Sequence, residues 1–280
     1  MHKKLFYSFW IVFLCSTCVA PAQKSNLQDS IRPKEFSVRN MFHEGLHGQA
    51  IIWTKPVHIH QQDWKFIVPA AILLGSSFAL DHEIYNSVQD VKQRNPELHD
   101  IAQVATKFGE GIVPIGITCA FAAGGLIFKD NRALRTGVLA AEALVHSAIL
   151  GYAMKASLGR ARPTTEAKDG KLGFFEEFND ETKHNSFPSG HTIIAFTLAT
   201  VVATEYSNTI WVPVVCYSAA TACGLSRIVL EKHWTSDVLM ASMLGYAIGR
   251  MTVKEHNRHW NISPFVNSSG AAGIGFHTSF

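Results

Sequence analysis

The chain has 280 residues, with 25 Lys and Arg against 22 Asp and Glu and a formal charge of +3. Hydrophobic residues at 47% supply enough apolar surface for a core, which excludes a disordered chain. So small and dispersed a positive charge offers no basic face to nucleic acid, and no nucleic-acid partner is expected. A mean hydropathy of +0.09 lies between an ordinary soluble enzyme and a chain made mostly of membrane spans.

Residues 1–22 read as a secretory signal. His2, Lys3 and Lys4 form a basic start, residues 5–19 an apolar run, and Ala20-Pro21-Ala22 a small-x-small cleavage pattern, so the mature chain would begin at Gln23. Cys15 and Cys18 would leave with the signal, and Cys119, Cys216 and Cys223 would remain. Cys216 and Cys223 are seven apart on one predicted helix, about 10 Å along its axis, too far for a bridge. All three are expected to be buried as small hydrophobes, without a disulfide framework. Residues 23–65, with Pro33 and Pro56, form a polar lead-in.

Six apolar stretches follow, at 66–80, 111–128, 136–154, 192–203, 210–225 and 238–249. Their Ala, Leu, Ile, Val, Gly and Thr show no strict alternation, so they read as helices that are hydrophobic over most of their circumference. This predicts an all-α fold, a bundle of about six core helices. Asn95-Pro96 marks a break, and Lys129-Asp130-Asn131-Arg132 a charged turn. Glu142 and His146, one helical turn apart, are expected to hydrogen-bond. The longest connection, 164–187, sets Phe174, Phe175 and Phe178 among acidic residues. It reads equally as a lid over a site and as a loop held down by its own apolar residues. Residues 251–280 form a tail, in which a short β-hairpin from Asn261 turns at Asn267-Ser268-Ser269-Gly270.

Two catalytic signals compete. His43-Glu44-Gly45-Leu46-His47 fits the H-E-x-x-H pattern of a zinc metalloprotease, but Gly45 and Gly48 weaken the helix it needs, and Ala50 stands where the longer form of the motif has glycine. A solvated or loop-packed pair is the better reading, as for His58 and His60. The second signal has three parts: Lys155 with Arg162-Pro163, Pro188-Ser189-Gly190-His191, and Ser226-Arg227 with His233 and Asp237. Each part sits at the end or start of an apolar stretch, so alternate helix ends of a bundle bring all three to one face. Lys155, Arg162 and Arg227 are cations suited to phosphoryl oxygens. Ser189 and Gly190 precede a helix, whose first N–H groups and dipole favour an anion. Asp237, one helical turn from His233, would hold its imidazole in one tautomer and leave the other nitrogen to attack. His191 remains as the general acid for the leaving oxygen.

With these motifs complete, roughly 66–250 resembles the type 2 phosphatidic acid phosphatase superfamily, which also holds bacterial acid phosphatases and vanadium-dependent haloperoxidases. The resemblance implies a helical core with the active site at one end. It implies a metal-independent phosphatase acting through a phosphohistidine on His233, with Asp237 orienting, His191 protonating the leaving group, and Lys155, Arg162, Ser189, Gly190 and Arg227 binding phosphate. No cofactor and no metal are implied. A haloperoxidase is the runner-up, although those enzymes are typically much longer. Lipid phosphates such as phosphatidic acid, isoprenoid pyrophosphates, the phosphorylated sugar of an envelope lipid and small soluble esters all remain open as substrates.

Every apolar stretch is short or interrupted against the ~20 residues of a membrane span. Lys129, Arg132 and Arg135, and beyond the last stretch Arg250, Lys254 and Arg258, favour the cytoplasmic side. The expectation is therefore an exported domain, soluble or held against the membrane, with its site facing the periplasm. Six-span embedding is the alternative.

Overall fold

The computed structural model describes residues 61–164, 170, 172–174, 184–257, 261–266 and 272–277. The signal and most of the lead-in, with His43, Glu44, His47, His58 and His60, lie outside the described residues, as does most of the 164–187 connection. The described residues form seven α-helices: α1 (Trp64–Arg94), α2 (Glu97–Ala105), α3 (Ile112–Phe128), α4 (Asn131–Ser157), α5 (Gly190–Glu205), α6 (Trp211–Val229) and α7 (Thr235–Asn257). A short antiparallel pair, β1 (Leu158–Arg160) with β2 (Leu172–Phe174), follows α4. The expected C-terminal hairpin is present as β3 (Asn261–Val266) and β4 (Ala272–His277).

All the helices built on apolar stretches except α3 run further than those stretches. α1 continues through polar residues to Arg94 because Ser77, Asp81, Ile84 and Val88 form one buried stripe at helical spacing. It ends at the expected break, where the Asn95 N–H bonds the carbonyls of Val91 and Lys92. α2, which the apolar pattern misses, begins directly after Pro96 with Glu97 and Asp100 in its first turn. At the charged turn Lys129 takes a left-handed φ of 56°, and the Asp130 side chain caps α4 by accepting from the N–H groups of Arg132 and Ala133.

α5 is the axis of the bundle. It is buried nearly all round and packs against α4, α6 and α7. Two glycines one turn apart, Gly245 and Gly249, let α7 lie directly on it. A Cβ at Gly245 would fall 2.5 Å from the Ile193 carbonyl oxygen, and one at Gly249 would fall 2.7 Å from the Thr200 Cβ. This crossing sets the start of α7 beside the start of α5.

The outer helices carry apolar side chains outward. Phe66 and Ile72 on α1, Ile112 and Phe128 on α3, Ile149 and Tyr152 on α4, and Trp211 and Val214 on α6 are exposed. α1, α4 and α6, of 31, 27 and 19 residues, are long and apolar enough to cross a membrane. α2 with its following turn and α3 form a fourth candidate, bent by 47°. The shortness inferred from sequence is thereby corrected for α1, α4 and α6, whose apolar stretches are parts of longer helices, while α3 ends where its stretch does. Of the three cysteines expected to be buried, Cys223 is buried, Cys216 half-buried and Cys119 exposed, and all three are free.

Candidate active site

Four helix ends meet at one end of the bundle. Lys155 occupies the last turn of α4, Ser189 immediately precedes α5, Arg227 occupies the last turn of α6, and Asp237 the first turn of α7. The Ser189 N–H bonds the Asp237 carbonyl at 3.3 Å, tying the starts of α5 and α7 together. The first intrahelical bond of α5 runs from the Ile193 N–H to the Ser189 carbonyl, so the N–H groups of Gly190, His191 and Thr192 lie ahead of the helical ladder. Lys155 runs alongside: its Cε is 3.8 Å from where a Gly190 Cβ would stand.

Asn185 joins two of the cations. Its carbonyl accepts from Lys155 Nζ at 2.6 Å and its side-chain oxygen from Arg162 Nε at 2.9 Å. The third cation, Arg227, donates from Nη1 to Thr106 Oγ1 at 2.7 Å. Thr106 opens a 3-10 turn, Thr106–Gly109, that seals the side of the site against α5 and α6. Only glycine fits at 109, since a Cβ there would lie 2.4 Å from the His191 carbonyl oxygen. Ser189 itself is fully buried, its hydroxyl paired with Thr192 Oγ1 at 2.8 Å.

The charges converge on two histidines. Burial pushes His191 down to about 4, Arg227 first among the cations, then Lys155 and Arg162, against the opposing pull of Glu110. Complete burial pushes His233 down to about 3, against Asp237 and with Lys155 and Arg227. Both imidazoles are therefore neutral near pH 7. Asp237 behaves oppositely. Its burial would raise it, yet the Arg160 guanidinium, His233 and the Ser186 hydroxyl hold it below the usual carboxylate range.

The link between His233 and Asp237 differs from the one expected. His233 lies in the loop before α7, so the four-residue spacing is not a helical turn. His233 Nδ1 stands 2.7 Å from the Ser186 carbonyl and 3.7 Å from Asp237 Oδ2. A carbonyl can only accept, so Nδ1 carries the proton and Nε2 is left with its lone pair. Asp237 Oδ2 instead accepts from the Trp234 N–H at 2.8 Å and from the Ser186 hydroxyl, while Oδ1 accepts from Arg160. The carboxylate thus holds the ring through Ser186.

All eight residues singled out by the motifs (Lys155, Arg162, Ser189, Gly190, His191, Arg227, His233 and Asp237) come to this one end. Sequence reasoning missed Asp81, Arg160, Ser186, Ser236, Thr106 and Glu110. Arg160 between a helix and a proline carries no pattern of its own, and its partner Asp81 is 79 residues away. Glu142 and His146 lie elsewhere on α4. At 3.7 Å they are too far apart for the expected hydrogen bond, and the second Glu142 oxygen is 3.4 Å from His256 Nε2. Among the described residues no group of His, Cys, Asp and Glu is arranged to hold a metal ion.

Residues 136–260, which carry all three motifs, match the family model of the PAP2 superfamily. This part of the chain is similar to the PAP2 superfamily. Over 96 residues the chain is 41% identical to a lipid A 1-phosphatase of Porphyromonas gingivalis, a match spanning 34% of this chain and 22% of that protein. Its fold is similar to that of the first transmembrane PAP2 type phosphatidylglycerolphosphate phosphatase from Bacillus subtilis, with a TM-score of 0.51 and 19% identity over 69% of this chain and 97% of that one. Aquifex aeolicus LpxE also resembles it, at a TM-score of 0.48 and 22% identity, over 62% of this chain and 95% of that chain. The PAP2 stretch begins within α4, so α1, α2 and α3 lie outside it.

Proposed function

We propose that the protein is a phosphatase that hydrolyses phosphate monoesters carried by lipids, through a covalent phosphohistidine on His233. The observation that carries this reading is the convergence of Lys155, Arg162 and Arg227 around two neutral histidines at the N-terminus of α5. Three fixed cations and the helix N-terminus favour a phosphoryl group, and they stabilise its charge in transfer without reorganisation. His233 Nε2 attacks phosphorus, the N–P bond forms and the P–O bond to the leaving group breaks. His191 gives its proton to the departing oxygen. Water then attacks phosphorus, returning its proton to His191 as the N–P bond breaks and phosphate is released. The lipid half of the proposal draws support from the outward apolar side chains and from the named activities of the relatives.

The full chain in detergent micelles, offered lipid and soluble phosphate monoesters, tests this. Phosphate release that survives EDTA, is inhibited by vanadate and falls by several orders of magnitude in His233→Ala is expected. Turnover that EDTA abolishes and zinc or magnesium restores would overturn it, as would bromide oxidation by the vanadate-loaded protein in place of hydrolysis.

A further inference from the structure

Next to His233 lies a buried ion cluster to which the three motifs contribute only Asp237. Arg160 is 1% exposed, and every arm of its guanidinium is used. Nε donates to the Gly170 carbonyl at 2.6 Å, Nη1 to Ser236 Oγ at 2.7 Å and to Asp237 Oδ1, and Nη2 to Asp81 Oδ2 at 2.7 Å. The plane lies between the rings of Phe78, at 4.7 Å, and Trp234, at 5.5 Å. Asp81, from the middle of α1, accepts the Ser236 N–H on Oδ1 at 2.9 Å and the Ser236 hydroxyl on Oδ2. Arg160 reaches His233 by a second route too, because its carbonyl accepts the N–H of Ser186 at 3.0 Å.

Two carboxylates and one guanidinium taken out of water do not explain themselves as stability, since a buried ion cluster gains little over well-packed apolar groups. Their geometry points instead to His233, which they reach through Asp237 and Ser186. We propose that Arg160 and Asp81 are positioning residues for His233: they clamp Asp237, Ser236 and Ser186, and through them fix the imidazole in its Nδ1-protonated tautomer with Nε2 free to react. The inference deepens the phosphatase reading and rests on it. It also makes α1, outside the PAP2 stretch, part of the machinery. Against its burial, Arg160 from β1, His233 beside it and the Ser186 hydroxyl hold Asp237 ionised, while Asp81 from α1 shares the Arg160 guanidinium. Lys155 from α4 and Arg227 from α6 act on the ring. Taking the guanidinium away leaves a fully buried carboxylate that burial alone pushes toward protonation.

The test compares Asp81→Asn and Arg160→Lys in the full-length protein, with kcat and KM across pH and ring-nitrogen NMR of histidine-labelled protein assigned with His233→Gln. Both variants should lose about 10- to 100-fold in kcat, the size seen when an outer partner stops orienting a reactive group, with KM within about twofold. The acid limb of kcat should move up by about one pH unit in Arg160→Lys. In an Asp237→Asn background, Asp81→Asn should cost less than about twofold more, because the clamp then has nothing left to hold. Variants that fail to fold, or that fold with wild-type kcat, pH profile and ring tautomer, would overturn the proposal and leave the cluster a purely structural role. Wild-type protein that hydrolyses no phosphoester would sink the phosphatase reading alone. The ring signal then judges the clamp by itself: one Nδ1-protonated state in the wild type and a mixture in Arg160→Lys upholds it, and the same state in both overturns it.

Discussion

Burial, with the surrounding cations, leaves both histidines neutral near pH 7, which suits one of the proposed tasks and opposes the other. A nucleophile needs the lone pair on His233 Nε2, and His233, pushed down to about 3, keeps it. A general acid needs a proton, and His191, pushed down to about 4 by burial and the surrounding cations, has lost it. A phosphate dianion resolves the conflict by neutralising Arg227, Lys155 and Arg162 and attracting a proton to the ring. The His191 pKa should therefore rise from about 4 toward neutrality when inorganic phosphate binds, as read by an NMR titration of its ring. Protonation then favours binding, so phosphate affinity should climb as the pH falls through the raised pKa and level off below about 4, by about tenfold for each unit gained. An unchanged His191 titration at saturating phosphate would contradict this. The residues of this scheme were legible in sequence because each motif is local: a lysine with an arginine seven on, a glycine before a histidine, a histidine four before an aspartate. Asp81, Arg160 and Ser236 were not, because only the fold makes neighbours of residues as far apart as 81 and 236.

At the scale of elements, the site depends on how closely α7 lies on α5. Gly245 and Gly249 make that crossing, and His233 and Asp237 at the start of α7 take their place from it. Gly245→Ala puts a Cβ 2.5 Å from the Ile193 carbonyl oxygen and 2.8 Å from the Phe196 Cβ, so the helices must separate. A cost of about 1–3 kcal/mol is expected, read as a lower Tm in detergent. The kcat should fall further than that loss of folding explains, since a shift near 1 Å at reacting groups costs about a hundredfold. Gly116→Ala on α3, where a Cβ meets nothing within 4 Å, is the control and should be neutral or slightly stabilising. Equal behaviour of the two variants would count against the crossing. Apolar runs located the cores of α1, α3, α4, α5, α6 and α7 but not their ends. The polar residues beyond the runs are used: Asp81 in the middle of α1, Arg227 near the end of α6 and Asp237 near the start of α7 face the site, not water. α2 and the β1–β2 pair, at nine residues and three per strand, are too short to leave a period in the sequence.

The whole molecule has two unlike ends. α4 and α6 finish at the site, and α1 runs past it to bring Lys92 against Glu231 in the loop before His233. The opposite end gathers Arg132 and Arg135 around Glu205, and α7 carries Arg250 and Lys254 toward it. Exposed apolar side chains along α1, α3, α4 and α6 suit a bundle held in the envelope membrane, and we propose from the charge asymmetry that its basic end faces the cytoplasm and its site the periplasm. A cysteine placed at exposed Thr164, beside Arg162, in a chain whose own cysteines are replaced by alanine reports the side directly. A membrane-impermeant maleimide should label it in cells whose inner membrane is intact. Labelling only after that membrane is opened would reverse the orientation, and full release of the protein by carbonate washing would remove it from the bilayer.

The covalent step proposed on His233 is the central claim of the mechanism, and rapid-quench trapping with a phosphate-labelled lipid monoester tests it most directly. The label should appear on the protein as an acid-labile, alkali-stable phosphoryl group that maps to the peptide holding His233, and it should be absent from His233→Ala. Label retained on the His233→Ala protein, or steady turnover by the wild type with no trapped phosphoenzyme at any time point, would contradict it.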